Sequence, residues 1–296
     1  MKITQLADIA TDKTKFSSIS DFLDFTERYL EYVATKLQAV IVSQNENHYQ
    51  FYQYGSDGDY QITRPINSKL MYDASDFPVA KESFAKILNN AKDIRSKKKR
   101  ESINKTVYTL QMAIGSTLDA LPAGASNKAR KINGDLFERL IHLVIKEVGV
   151  ECKSGVVKIP FMLQGEKQFQ MSYQHDLIIE RDEEVKLIGS IKTSSKDRID
   201  KIFIDKFLYS KLTDTNVPHV AVFLNDVQRK KTNKKNKYGI SSTFLPGHFR
   251  GYSVKLNPLD GVYYCDIRPN MLTEDILKDH IQSLDHLLCK DIWEFI

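Results

Sequence analysis

The sequence predicts an α/β (α+β) protein: a mixed β-sheet core flanked by helices, with a mainly helical N-terminal region. Two observations carry the prediction. After residue 133 a helical spacing gives way to several short β-like runs, a second helix, a compact apolar strand, a strand pair and a closing helix. That order suits a mixed sheet covered by helices. Before residue 121 the apolar residues recur mostly at helical intervals. With 296 residues the chain holds one large domain or two of ordinary size. The Leu121-Pro122-Ala123-Gly124-Ala125-Ser126 loop is the natural boundary, between a region 1–122 and a core 123–296.

Taken in order, residues 18–43 carry Phe22, Phe25, Tyr29, Tyr32, Val33 and Leu37 at helical spacing, with Ser18 or Ser20 as cap. Residues 48–64 read as a hairpin, with aromatics on both sides of Ser56-Asp57-Gly58-Asp59. Two more helices are expected over 79–97 and 102–120. In the core, 134–148 is an amphipathic helix built on Leu136, Phe137, Leu140, Ile141, Val144 and Ile145. Strands follow at 156–161, 169–179 and 185–191, then a helix over 197–212, an apolar strand at 220–224, β-like segments near 238–244 and 252–266, and a helix over 272–290.

Composition narrows the class. Apolar residues are 42% and charged residues 27%, the balance of a globular protein. No apolar run approaches the roughly 18 residues that cross a bilayer, and the N-terminus does not read as a signal peptide. Cys152, Cys265 and Cys289 are odd in number and far apart, which points to a reducing cytoplasm and to neither disulfide framework nor zinc site. The net charge of +5 permits a polyanionic partner. It is concentrated in Arg95-Ser96-Lys97-Lys98-Lys99-Arg100 and in the run from Arg229 to Lys237, which holds six cations and no acid. The second run reads as a mobile loop, kept either for solubility or for phosphate contacts. No Walker-type loop is present, and the seven histidines have no metal-ligand spacing. Met162 and Met171 read as packing residues, the aromatics at 49–60 as a packed hairpin, and Trp293 as docking the C-terminal helix.

The chemistry is concentrated in two adjacent strands joined by Arg181-Asp182-Glu183-Glu184. Asp176 is expected to start the first strand and Lys192 to end the second, so a hairpin brings them together. An acid that holds a hard cation and a lysine that steadies developing negative charge suit phosphodiester hydrolysis. Asp205, in the following helix on the face of Arg198 and Lys201, is the natural second carboxylate.

The run Ser190-Ile191-Lys192-Thr193-Ser194-Ser195-Lys196-Asp197-Arg198 resembles the active-site and recognition segment of type II restriction endonucleases that cut CCGG, CCNGG or CCWGG sites. These enzymes have the PD-(D/E)-x-K nuclease fold. In that subgroup a small residue replaces the acid two positions before the lysine, and the missing carboxylate comes from the next helix. Ser190 and Asp205 match this arrangement, with Asp205 standing where the subgroup usually has a glutamate. Asp176 matches the first acid, with His175 in place of the family's proline. Gly134-Asp135-Leu136-Phe137-Glu138 resembles the segment that supplies an auxiliary acid, here Glu138.

The resemblance covers roughly residues 133–224. It implies Asp176 and Asp205 as Mg²⁺ ligands, Lys192 as catalytic, Glu138 as assisting the metal site, and Lys196, Asp197 and Arg198 as readers of C and G base pairs. It also implies a restriction-endonuclease-like core, double-stranded DNA as substrate, a homodimer or higher oligomer, and a cognate DNA methyltransferase acting on the same site. Residues 1–120 carry no motif, and the region 1–122 is left with DNA binding, dimerisation or covering the sheet. Two alternatives stay open: a repair or structure-selective nuclease on the same fold, and a DNA-binding protein without catalysis.

Overall fold

The computed structural model describes residues 1–55, 61–122, 124–163, 166–196, 198–231 and 237–296. Tyr60, Asp197 and residues 232–236 of the lysine-rich run lie outside the described residues. The chain clusters into two compact units. One comprises residues 1–90, 94–144 and 227–243, the other 91–93, 145–226 and 244–296. No helix among the described residues is long and apolar enough to cross a membrane.

The first unit opens with α1 (Ile3–Thr11) and α2 (Ile19–Lys36). Ser18 caps α2 in a capping box with Asp21, and Phe22, Phe25, Tyr29 and Tyr32 are buried as their spacing predicts. The helix stops at Lys36, short of the predicted 43. Val40-Ile41-Val42 instead lie in β1 (Ala39–Val42), which pairs antiparallel with β2 (Tyr49–Tyr54). Three β-branched residues with a partner strand favour extension over another helical turn. β2 also pairs with β3 (Gln61–Ile62) and β4 (Ile66–Asn67). Tyr49, Phe51 and Tyr54 are buried, so these aromatics form the expected packed hairpin.

Next come α3 (Phe77–Leu88) and α4 (Lys97–Leu118), the latter almost wholly buried from Ile103 onward. Arg64 lies against Gly115, where a side chain would collide with its guanidinium, and makes two 2.9 Å bonds to Asp119. α5 (Ser126–Glu147) begins well before the predicted residue 134. The chain returns to this unit as a hairpin of β9 (Val227–Lys231) and β10 (Tyr238–Ser242). Its Val227 and Ile240 pack with Tyr49 and Phe51. The side chain of Asn45 bridges the Ile240 amide and carbonyl at 2.9 Å each. The run read as a mobile loop therefore starts as a strand. Arg229 and Lys230 are exposed on it, while Val227 and the partner strand hold it down.

The second unit is built on a six-stranded sheet. β5 (Lys153–Leu163), β6 (Glu166–Arg181) and β7 (Glu184–Ser194) are antiparallel, and β8 (His219–Asn225), β11 (Gly261–Tyr264) and β12 (Ile281–Ser283) continue parallel to β7, in the order β12-β11-β8-β7-β6-β5. Asp182 and Glu183, with φ of 53° and 63°, make the two-residue turn between β6 and β7. α6 (Ile199–Thr213) crosses from β7 to the parallel β8, as a parallel connection requires. Its Ile202 and Phe203 pack on Ala221, Phe223, Val262 and Tyr264. Its Tyr209 packs on Ile159, Tyr173 and Ile188.

Two further expectations are corrected here. α7 (Pro246–Lys255) occupies the start of the segment read as β-like, because Pro246 suits a first helical turn; only Gly261–Tyr264 is strand. The predicted closing helix is broken into α8 (Pro269–Thr273), α9 (Leu277–His280), strand β12 and helical turns running to Phe295. Ile281, fully buried, pairs beside Val262 and satisfies the backbone edge that β11 would otherwise leave open. Trp293 donates to the Leu288 carbonyl at 3.1 Å and carries Lys92 over its ring at 4.7 Å. The three cysteines are buried.

Candidate active site

The site forms where β6 and β7 part. Their ladder runs from Arg181↔Glu184 to Leu177↔Gly189 and goes no further. Asp176 stands at this fork. It does not start the strand, as the sequence suggested, because β6 begins ten residues earlier at Glu166. At the fork a side chain replaces the ladder: Asp176 Oδ2 accepts the Ile191 N–H at 2.9 Å and also pairs with the Lys192 ammonium. The carboxylate is only 14% exposed and the lysine 36%, so the pair is shielded from water without being sealed.

β7 pairs in parallel with β8, matching Ser190 to Ala221 and Lys192 to Phe223. Residues paired across neighbouring strands share a face of the sheet. Lys192 therefore lies on the face where Phe223 meets Ile202 and Phe203 of α6. Asp205 is on that helix, paired with Lys201 one turn before it and 16% exposed. Burial pushes the His175 imidazole below its ordinary pKa; Asp205 and Asp176 pull it up, and Lys201 pushes it down. One buried ring thus senses both carboxylates. His175 also faces Tyr209 at 6.5 Å and His219 at 6.3 Å, in a cluster that carries this side of the site. His219 is held down to about 4 by burial, with its Nδ1 2.8 Å from the Val217 carbonyl.

The next residue on α6 anchors the helix. Lys206 is buried and donates to the Pro258 carbonyl at 2.5 Å and to Asp260 Oδ2 at 2.7 Å. The same carboxylate oxygen accepts the His219 N–H at 2.6 Å.

No family model and no curated protein matches the chain. Among solved structures it is similar to the crystal structure of the Type IIP restriction endonuclease Kpn2I, with a TM-score of 0.69 over 99% of this chain and 97% of that one, at 18% identity. The fold is that of a restriction endonuclease. A second similar structure is a complex of the restriction endonuclease PspGI with substrate DNA, at a TM-score of 0.45 and 12% identity over 73% of this chain and 89% of that one.

Within this restriction-endonuclease fold the predicted residues are distributed as follows. Asp176 and Lys192 are in direct contact, and Asp205 lies on the helix covering their face of the sheet. Lys196 and Arg198 are exposed in the turn before α6, where the Arg198 N–H meets the Ser195 carbonyl at 3.3 Å. Asp197, between them, is outside the described residues. Glu138 belongs to the first unit, half-buried on α5.

The donor set suits a hard cation. Two carboxylates offer oxygen, and each is now neutralised by a lysine. Among the described residues no three His, Cys, Asp or Glu side chains gather as a metal cluster. The oxygen of two carboxylates is the donor type of a hard ion such as Mg²⁺, which takes one or two carboxylates and fills its remaining positions from water and phosphate. Sequence reasoning missed His219, Lys206 and Asp260. The first two face partners on other elements, far away in the chain, so no spacing marks them. Lys201 was legible, four residues before Asp205.

Proposed function

We propose that the chain is a type II restriction endonuclease, hydrolysing phosphodiester bonds of duplex DNA at a short palindromic C/G-rich site containing CCGG or CCNGG, with Mg²⁺ as cofactor. The observation that carries the reading is the carboxylate of Asp176 at the β6–β7 fork, bound to Ile191 N–H and Lys192 on the face covered by the helix of Asp205. The similarity to Kpn2I, described as a Type IIP restriction endonuclease, supports the same reading.

Asp176 and Asp205 would hold the ion, with Glu138 as an assisting acid. The bound cation supplies Lewis acidity toward the phosphoryl oxygen and makes water a better nucleophile at neutral pH. The chain's own residues do the rest. Lys192 steadies negative charge on the scissile phosphate and orients the attacking water. Asp176, fixed by a backbone N–H, keeps that ammonium in place. Lys196, Asp197 and Arg198 present donors and an acceptor at the start of α6, as reading G and C in the major groove requires. A palindromic site fits twofold symmetry, so the working form is a homodimer. A cognate methyltransferase protects the same site in the cytoplasm.

The test is incubation of a long duplex of known sequence with the protein and Mg²⁺, with the ends mapped. Discrete fragments ending at one C/G-rich site are expected, and Lys192→Ala is expected to abolish cutting while keeping specific binding. A smear would identify a structure-selective nuclease. Binding without any cutting by the wild-type protein would identify a non-catalytic DNA-binding protein. Cutting by Lys192→Ala at the wild-type rate would remove Lys192 from the active site.

A further inference from the structure

β5 and β6 remain paired far beyond the point where β6 leaves β7. Register continues from Gly155↔His175 to Leu163↔Glu166. The result is a two-stranded ribbon reaching about 30 Å past Asp176, at about 3.4 Å per residue. Its two faces differ. Ile159 and Tyr173 are buried against Tyr209 of α6, with Val157 and Met171 half-buried beside them. On the opposite face Ser154, Val156, Lys158 and Pro160 of β5 and Gln170, Ser172 and Gln174 of β6 are exposed. Met162, which the sequence placed in the packing, is 52% exposed on this face, and Val156 is 51% exposed. Among the described residues none supplies a hydrogen-bond partner to the side chains of Gln170, Ser172 or Gln174.

We infer that this exposed ribbon face enters the major groove of duplex DNA and reads A·T pairs flanking the cut site. The inference rests on the nuclease reading above and adds its outer specificity. Four features carry it. A two-stranded ribbon fits the major groove. The side chains at 170, 172 and 174 repeat every two residues, about 6.8 Å, which is close to two base-pair steps of B-DNA at about 3.4 Å each. Val156 is the cross-strand partner of Gln174. A glutamine amide matches adenine N6 and N7, and an apolar group beside it matches the thymine methyl of the same pair. Finally, the ribbon suits a polyanion: between Lys153 and Gln174 its one acid is Glu166, and Lys158 stands opposite Ser172. Lys158 and Pro160 lie on the edge strand, where they oppose addition of a strand from another copy.

The test uses the full-length protein and duplexes carrying its mapped core site between randomised flanking pairs. Wild-type protein is expected to favour A·T at one or more flanking positions. Gln170→Ala/Gln174→Ala is expected to lower that preference roughly tenfold or more, read as the ratio of kcat/KM between flanks. Lys158→Ala is expected to weaken binding to all flanks alike and to reduce the salt slope by about one. All the altered side chains are exposed, and an unchanged melting temperature verifies folding. A wild-type enzyme that cuts its core site, with the double variant keeping the same flank ratio, overturns the inference. So does a variant that turns from dimer to monomer in sedimentation with its flank ratio intact, since the face would then join two copies. If wild-type protein cuts nothing, the nuclease reading fails instead. The flank ratio is then read from equilibrium binding, and a ratio equal in wild type and variant overturns the inference there too.

Discussion

Replacing Lys206 by methionine tests how α6 is held over the sheet. The substitution keeps a long unbranched side chain and removes the charge. Lys206 donates two hydrogen bonds, at 2.5 Å to Pro258 O and 2.7 Å to Asp260 Oδ2. Removing one partner of a buried ion pair costs about 3–5 kcal/mol, because the other charge is left behind. Here the Asp260 side chain is 31% exposed and keeps the His219 N–H, so the lower end, about 3 kcal/mol, applies. The single tryptophan, Trp293, lies in the same unit as the pair, so urea unfolding followed by its fluorescence reads the relevant cluster. Lys206→Met/Asp260→Asn removes both charges together and is expected to be at least about 1 kcal/mol more stable than the two single changes predict by addition. A cost below about 1 kcal/mol for Lys206→Met, or strict additivity in the cycle, would refute the claim that this pair anchors the helix.

Three other outcomes are expected. Arg198→Ala should lose about 1–3 kcal/mol of discrimination at one G·C pair; an equal loss on every sequence in a binding titration would make Arg198 a phosphate contact. The folded-state pKa of His219 is depressed to about 4 from 6.5, so the unfolded chain takes up a proton first as pH falls. Stability from this group is then complete above pH 6.5 and declines toward pH 4, by about 3 kcal/mol in all. His219→Gln should flatten that decline in unfolding measurements at pH 7 and pH 4.5, and an unchanged slope would assign the acid sensitivity elsewhere. Glu183 holds a φ of 63° in the β6–β7 turn, so Glu183→Gly should stabilise the protein by about 1 kcal/mol; a lower melting temperature would count against strain at this turn.

What the sequence revealed follows the range of the interactions. The buried stripe of α2 is local, and Phe22, Phe25, Tyr29 and Tyr32 announce it at helical spacing. The approach of Lys192 to Asp176 is nearly local too, since a two-residue turn closes their hairpin. β1 was misread because Val40, Ile41 and Val42 continue the apolar pattern of α2 and only pairing with β2 makes them extended. β12 was misread for the same reason, its three residues being strand because β11 has an open edge beside them. The lysine-rich hairpin is held by Tyr49 and Phe51, far earlier in the chain. Met162 was misplaced because alternation shows two faces of a strand but not which face finds a partner.

On the proposed reading the second metal carboxylate, Asp205, is carried by a helix and not by the sheet. An acid at residue 190 would be fixed by the β7 ladder, whereas on the proposed reading Ser190 leaves that task to Asp205 on α6. The side chain at 205 is then placed only as well as the helix is docked. Docking rests on Ile202 and Phe203 against Phe223 at one end, and on Tyr209 against Tyr173 and Ile188 at the other. Rotation about the helix axis is resisted by Lys206, next to Asp205, through its bonds to Pro258 and Asp260. An aspartate is one methylene shorter than a glutamate, so it tolerates less drift of the helix before it leaves the site. On the proposed reading, substitutions at Lys206 or Phe203 should therefore raise the Mg²⁺ concentration that half-maximal cutting needs before they unfold the unit. The check is to titrate Mg²⁺ with Phe203→Leu at a temperature where the variant is fully folded. A half-maximal Mg²⁺ concentration equal to that of the wild type would show that Asp205 does not depend on helix docking.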